Sequence, residues 1–288
     1  MDHQQRFRVK PGARLRLEDV DSAYKGVHGD REAAEQESAR YRLRLRDLQA
    51  VLYAERHHSL LICLQGMDTA GKDGTISHVL GAMNPQGCRA AAFREPTAEE
   101  QAHDFLWRVH RQVPTRGEVV IFNRSHYESV LIERVHELVP KRVWSRRYDK
   151  INAFEQGLAD NGTLILKFFL HISKKKQLKR FKDRLDDPSK RWKISEADYK
   201  ERGYWDVYQE AYSEALSRCS TEDAPWFVIP ADHKWFRDLA VARIVVEQLE
   251  ALKMEYPKPT VDIEKIRAEY HAAKQAVKRP SAKKRRGP

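Results

Sequence analysis

Cysteine is scarce in this chain: Cys63, Cys88 and Cys219 are the only three among 288 residues. Their scattered spacing speaks against a disulfide framework or a cysteine-based zinc site and fits structural thiols in a reducing cytosol. Long apolar runs are missing too. No stretch approaches the roughly 18 apolar residues that a membrane span needs, and the opening MDHQQRFRVK has no apolar core segment. The expectation is a cytoplasmic protein with no membrane partner. No internal repeat is visible, and no RNP-like, zinc or helix-turn-helix string supports nucleic-acid recognition. The twelve histidines show no metal-ligand spacing; His103 and His110, seven apart, read as structural side chains on one helix.

Acidic residues are also in deficit, 42 against 53 Lys and Arg, for a net charge of +11. The excess is unevenly placed. Seven of the cations (Lys274, Lys278, Arg279, Lys283, Lys284, Arg285 and Arg286) lie beyond residue 273 with no acid among them, which leaves +4 for the rest. A Pro-containing basic end of this kind reads as a solvated, disordered tail rather than a binding site.

What is present is organised around Leu60 to Ile76. Leu60-Leu61-Ile62-Cys63-Leu64 is the continuous apolar run of a strand buried on both faces, and Gly66 ends it. The turn Gly66-Met67-Asp68-Thr69-Ala70-Gly71-Lys72-Asp73-Gly74-Thr75 follows, and from Lys72 the spacing of Ile76, Val79, Leu80 and Met83 predicts a helix. Strand, glycine-bounded loop, lysine and helix together make a phosphate cradle. Gly66 and Gly71 permit positive φ, the helix start adds about half a positive charge, and Lys72 brings a full one. Asp73 stands where the usual G-x-x-x-x-G-K-[ST] pattern has Ser or Thr, and Thr75 comes two places late. Asp68 would repel a bound phosphate unless a cation lay between them, so it argues for Mg²⁺ or for proton handling.

Around this stretch the pattern alternates. Residues 1–29 are an arm that either wraps a neighbour or joins its own domain. From Asp30 to about Glu55 a helix is predicted, with Leu45, Leu48 and Leu52 on one stripe. Further strands are expected at Cys88–Phe93, Val119–Phe122, Thr163–Leu170 and Trp226–Ile229. Thr97 and Glu100 have capping-box spacing at the start of a helix predicted to reach about Val113. More helical pattern runs through Arg134 and from about Val143 to Leu158. Helices between consecutive strands imply a parallel α/β sheet with its ligands at the strands' carboxyl ends. That rule places the loop at Gly66, the turn at Arg94 and the segment Asn123-Arg124-Ser125-His126-Tyr127-Glu128 on one crevice, with His126 and Tyr127 near it. Asn123 occupies the place where many such enzymes have a metal-binding Asp and brings no charge, which shifts the metal load to Asp68. Trp107, Trp205, Tyr208 and Tyr212 read as packing side chains.

From His171 to Lys193 ten Lys and Arg face three acids, and Arg180 and Arg184 share one helix face, with Pro188 breaking the helix. This density reads as a basic lid over about 171–195 that closes on phosphates.

The string GMDTAGKDGT resembles the loop of the polyphosphate kinase 2 family, whose pattern G-x-D-x-x-G-K-x-G-T includes both the Asp and the displaced Thr. FNRSHYE is similar to the segment of members that carry Asn there. FREPT, HDFLWR, DPSKRWK, YWDVY and APWFVIPADHKW extend the likeness over about residues 30–252. The resemblance implies a P-loop, thymidylate-kinase-like three-layer sandwich with a five-stranded parallel sheet and a helical lid. The domain would span 30–256, followed over 257–288 by a helix and the basic tail. It also implies a reversible, Mg²⁺-dependent transfer of phosphoryl between inorganic polyphosphate and AMP or ADP, giving ADP or ATP, in a homodimer or homotetramer. Under it, Asp68, Lys72, Arg124 and Arg184 would be catalytic, with Asp68 also the metal ligand. Gly66, Met67, Thr69, Ala70, Gly71, Asp73, Gly74, Thr75 and Asn123 would line the phosphates. Arg94, Arg124 and Arg134 would orient the acceptor, Lys190 and Lys193 would hold the polymer, and Glu128 would help choose between AMP and ADP. Two rivals are an ATP-dependent nucleotide kinase of the thymidylate-kinase type and, less favoured, a basic nucleic-acid-binding P-loop protein.

Overall fold

A computed structural model of the chain describes residues 3–26 and 31–278. Contacts divide the chain into a unit over 1–255 and a small one over 256–288. The second unit contains the helix Ile263–Lys278. The first part of the expected disordered tail, from Lys274 to Lys278, is therefore helical, while residues 279–288, which carry the remaining basic cluster, lie outside the described residues.

The larger unit is built on five strands, β1 (Ser59–Gln65), β2 (Cys88–Ala92), β3 (Val119–Asn123), β4 (Thr163–His171) and β5 (Trp226–Pro230). They form one sheet in the order β2-β3-β1-β4-β5. Every neighbouring pair is parallel, with Leu60 of β1 set against Val119 of β3 and Leu164 of β4. All seven residues of β1 are buried, as a central parallel strand covered on both faces requires. Its side chains alternate between two cores. Leu60, Ile62 and Leu64 join Val119, Ile121, Leu166 and Phe168 on one face, while Leu61 and Cys63 join Val120, Phe122 and Ile165 on the other. Helices on both faces give three layers. The leading helix Arg31–Glu55 buries Leu45, Leu48 and Leu52 in the first core, where the closing helix Lys234–Ala251 also packs. Burial of each such leucine stabilises the fold by about 1.5–3 kcal/mol.

The N-terminal arm belongs to its own domain. Val9 N–H donates to the Trp226 carbonyl at 2.8 Å, Arg8 pairs antiparallel with Phe227, and Phe7 and Leu17 are buried.

Two expected helices are shorter than their periodicity suggests. The segment after Thr97 does form its capping box, but the helix stops at Gln101 and a separate turn of helix runs Trp107–His110. Asp104 is the cause: its side chain accepts from Leu106 N–H at 2.9 Å and its carbonyl from Trp107 N–H, a local competitor to the helical ladder. His103 and His110 therefore do not share a helix. His103 stacks on Trp107, and His110 packs edge-on against Phe154. The helix from Lys72 likewise ends at His78, and Leu80–Ala82 continues as a 3₁₀ turn that still buries Val79, Leu80 and Met83.

Among the described residues no helix is long and apolar enough to cross a membrane.

Candidate active site

The loop leaves β1 at Gly66, whose φ of 152° and surroundings leave no room for a side chain: a Cβ there would lie 2.8 Å from the Leu170 carbonyl and 2.9 Å from Ala70 Cβ. Thr69, at φ 65°, and Gly71, at φ 112°, turn the chain back toward the helix that starts at Lys72. Lys72 Nζ reaches across the loop to donate to the Gly66 carbonyl at 2.8 Å. Burial, aided by the Arg124 charge, lowers its pKa from the usual lysine value, although Asp68, Glu128 and Asp73 pull the other way. Asp73 does not hang free in the cradle; its Oδ1 accepts from Asn123 Nδ2 at 2.9 Å, tying the loop helix to the end of β3. Thr75 is wholly buried, and its hydroxyl has no hydrogen-bond partner among the described residues. Met67, Ala70 and Gly74 complete the turn, with Met67 and Ala70 packed into the core.

Across the loop, Arg124 adopts φ 61°, a left-handed conformation that costs a non-glycine residue on the order of 1 kcal/mol or more. The guanidinium so aimed lies 3.4 Å from Asp68 Oδ1 and 3.9 Å from Glu128 Oε2. Glu128 above all, and Asp68 after the opposing effect of burial, hold its pKa above the ordinary arginine value. Gln65, the last residue of β1, donates to Ser125 Oγ and Glu128 Oε1 and accepts from the Tyr212 hydroxyl. Gly66, Asp68, Arg124, Glu128, Tyr208 and Tyr212 line a cavity of about 160 Å³. It adjoins a cleft of about 1010 Å³ that shares Arg124, Glu128, Ile132 and Glu201 with it and reaches Arg94, Pro96, Phe105 and Arg108. Arg94 sits at that cleft's edge, exposed, and its carbonyl accepts from Arg108.

Other sequence candidates lie elsewhere. Arg134 lines neither cavity; it stacks on Trp144, 4.4 Å away, and donates to Tyr148 and to Glu214 at 2.6 Å, so the structure uses it as a packing arginine. Arg184 donates to the Lys193 carbonyl, Lys190 pairs with Asp187, and Lys193 lies over the Trp192 ring. All three are engaged within the basic segment expected to act as a lid, which consists of the helix Lys174–Asp186 and the 3₁₀ segment Pro188–Lys193. Arg180, which shares a helix with Arg184, is instead buried and donates to the Thr69 and Ala70 carbonyls. Gln177 Nε2 donates to the Asp68 carbonyl, so the first half of the lid helix is fastened to the loop. Tyr127 is fully buried and lines neither cavity, whereas His126, 3% exposed, forms part of the wall of the larger cleft. Both bond to Glu155, which also accepts from Lys167 at 2.5 Å, all of them buried.

Two residues were not evident in the sequence. Gln65 hides as the polar end of an apolar run, and Arg237 is a lone cation on the buried face of the closing helix; its Nη1 lies 3.3 Å from the Ala70 carbonyl. A polar residue within an otherwise apolar stripe was the only signal for either.

Among the described residues no three His, Cys, Asp or Glu side chains cluster as a preformed metal site. Asp68, about a quarter exposed at the mouth of the smaller cavity, fits a different arrangement. One carboxylate oxygen would be offered to a hard divalent ion whose other ligands are phosphate oxygens and water, the usual way Mg²⁺ is held beside phosphates.

Comparison with known proteins agrees with this geometry. The family described as polyphosphate kinase 2 matches residues 28–257. A Meiothermus ruber protein named AMP/ADP-polyphosphate phosphotransferase is 52% identical over 262 residues, covering 91% of this chain and 98% of that one. A Rhodopseudomonas palustris protein named ADP-polyphosphate phosphotransferase is 51% identical, covering 75% of this chain and 79% of its own. The crystal structure of polyphosphate kinase 2 from Arthrobacter aurescens superposes with a TM-score of 0.91 at 45% identity, over 94% of this chain and 97% of that one.

Proposed function

The chain belongs to the polyphosphate kinase 2 family, and from that membership we propose that it transfers the terminal phosphoryl group between inorganic polyphosphate and AMP or ADP, with Mg²⁺, in either direction. The observation that carries the reading is the placement of Asp68 and Arg124, 3.4 Å apart, between the phosphate loop and a cleft large enough for a nucleotide.

In this reading the acceptor occupies the larger cleft with its phosphate toward Arg124. An oxygen of that phosphate attacks the terminal phosphorus of the polymer in line, the P–O bond to the next phosphorus breaks, and the shortened polymer leaves with the bridging oxygen and its electron pair. Lys72 and the loop N–H groups hold the phosphoryl in flight. Arg124 spans donor and acceptor, and its strained backbone keeps the guanidinium aimed before substrate arrives. Asp68 would hold Mg²⁺, which when bound neutralises charge on the phosphate oxygens. Glu128, fixed by Gln65 and facing Arg124, is placed to sense how much negative charge the acceptor brings. The far half of the lid, with Arg184, Lys190 and Lys193, would exchange its present surface contacts, each worth little, for the polymer. Homodimer or homotetramer assembly and a cytoplasmic location belong to the same reading.

The direct test is incubation with long-chain polyphosphate, Mg²⁺ and either AMP or ADP, followed by nucleotide separation. ADP from AMP and ATP from ADP are expected; no product with polyphosphate, but product with a nucleoside triphosphate donor, would replace this reading with an ordinary nucleotide kinase.

A further inference from the structure

Behind the phosphate loop lie two guanidinium groups that line neither of the cavities described above; Arg180 instead lines a separate cavity of about 700 Å³ with Asp183, Asp232 and Asp238. Arg237 of the closing helix is 1% exposed, and its Nη1 lies 3.3 Å from the Ala70 carbonyl. Arg180 of the lid helix, 6% exposed, donates from Nη1 to the Thr69 carbonyl at 2.6 Å and to the same Ala70 carbonyl at 3.0 Å. Its Nη2 is anchored on the Ala231 carbonyl at 2.5 Å, and Arg237 is held by Asp238 through Nε and Nη2 at 2.8 and 2.7 Å. Neither arginine has a part in the chemistry derived above.

We infer that Arg237, assisted by Arg180, is a positioning residue of the phosphate loop, and that Gly71 and Gly74 are side-chain-free in order to admit it. This rests on the proposed reaction only for the identity of the anion. A peptide unit is planar and trans, so its C=O and N–H point in opposite directions. With the Ala70 carbonyl drawn back onto two cations, the Gly71 N–H is turned forward, toward the space that a phosphoryl would occupy. The neighbouring Ala70 N–H is already bonded to the Met67 carbonyl, which makes the Gly71 N–H the donor whose direction the arginines decide.

The glycines fit the same account. A Cβ on Gly71 would fall 1.7 Å from Arg237 Nη1, and one on Gly74 would fall 3.1 Å from Nη2. Gly71 has a second reason in its φ of 112°, but Gly74 lies inside the loop helix without positive φ. Glycine there weakens the helix by about 1 kcal/mol relative to alanine, and the close pass of Arg237 is what the structure offers as its reason. The second glycine of G-K-x-G thus marks the arginine behind the loop rather than the ligand in front of it.

The test uses the full chain with Arg237→Met, which keeps length but removes charge and fork, Arg237→Lys, which keeps the charge, and Gly74→Ala, which leaves the arginine but crowds it. Rates are measured against polyphosphate and against nucleotide separately, and thermal unfolding is followed with and without inorganic tripolyphosphate. Arg237→Met is expected to lower kcat/KM for polyphosphate at least about tenfold while KM for the nucleotide stays within about twofold. Tripolyphosphate should stabilise the parent protein and stabilise this variant much less. Arg237→Lys should recover part of the loss, and Gly74→Ala should show the same polyphosphate-directed defect in milder form. A folded Arg237→Met protein with unchanged polyphosphate kinetics would overturn the inference. If that variant does not fold, unchanged kinetics in Gly74→Ala would overturn it instead. A parent protein that ignored polyphosphate would remove the proposed reaction, and the tripolyphosphate shifts would still report on the loop.

Discussion

At the scale of single residues, Lys72 and Asp68 carry the sharpest predictions. Lys72 is half-buried, and its pKa is lowered by desolvation and by Arg124. The charged form is the one that binds phosphate, so activity should fall as pH rises through this lowered pKa. The alkaline limb of kcat/KM for polyphosphate, which reports the free enzyme, is therefore expected below the ordinary lysine value of about 10.4. Lys72→Arg, if active, should lack that limb; a limb unchanged in Lys72→Arg would assign it to another group. Asp68→Asn should cost about 100-fold or more in kcat at saturating Mg²⁺, because the neutral amide brings no charge to a divalent ion and ligates it more weakly than a carboxylate; full turnover in this variant would remove Asp68 from the chemistry. Glu128→Gln keeps the contact with Gln65 geometrically possible but removes a charge facing Arg124. The ratio of AMP to ADP turnover should shift by several-fold, and an unchanged ratio would show that acceptor choice lies elsewhere.

At the scale of elements, the segment after β3 is held from behind by a buried ionic group. Lys167 on β4 donates to the Tyr127 hydroxyl at 2.9 Å, to Glu155 and to the Cys219 carbonyl at 2.6 Å. Burial opposes ionisation of Glu155, but Lys167 and His126 overcome it and hold its pKa below the usual value. Lys167→Met would leave that carboxylate buried without its cation, and denaturant unfolding should show a loss of about 3–5 kcal/mol. Replacing Glu155 as well should recover much of it, since removing both partners strands no charge. Because the folded-state pKa of Glu155 is depressed, its contribution is present above the unfolded carboxylate pKa and is lost as pH falls through the folded one. The lid helix shows the same principle of partial fixation. Gln177 and Arg180 fasten its first half to the loop, so in the proposed reaction any closure would fall to the segment beyond Phe181.

At the scale of the whole molecule, the net charge of +11 is concentrated beyond residue 273 and in the lid. A polyanionic donor held by lid cations should bind less well as salt rises, by analogy with nucleic acids, and KM for polyphosphate should increase about tenfold between 50 and 200 mM salt. A KM insensitive to salt would mean that the lid cations do not meet the polymer. Residues 256–288 form a separate unit, so a chain ending at Glu255 should fold with an unfolding midpoint close to that of the full chain and keep its kcat.

The sheet and the loop were legible in the sequence because the information is local. A fully buried parallel strand must be apolar throughout, a phosphate turn needs glycine at fixed positions, and Lys72, Asp68 and Arg124 all follow strand ends that one topological rule sends to the same crevice. Less was legible where a side chain acts at a distance. Arg134 looked like an acceptor ligand and packs on Trp144 instead, His126 and Tyr127 turned out to face Glu155, and Arg184 bonds within the lid. Tertiary structure alone decided that Arg180 and Arg237, far from the loop in sequence, meet the Ala70 carbonyl. Periodicity records which face of a helix is buried, but not which buried polar group finds which partner; that is settled only when strands and helices stack and leaving a buried polar group unpaired costs free energy.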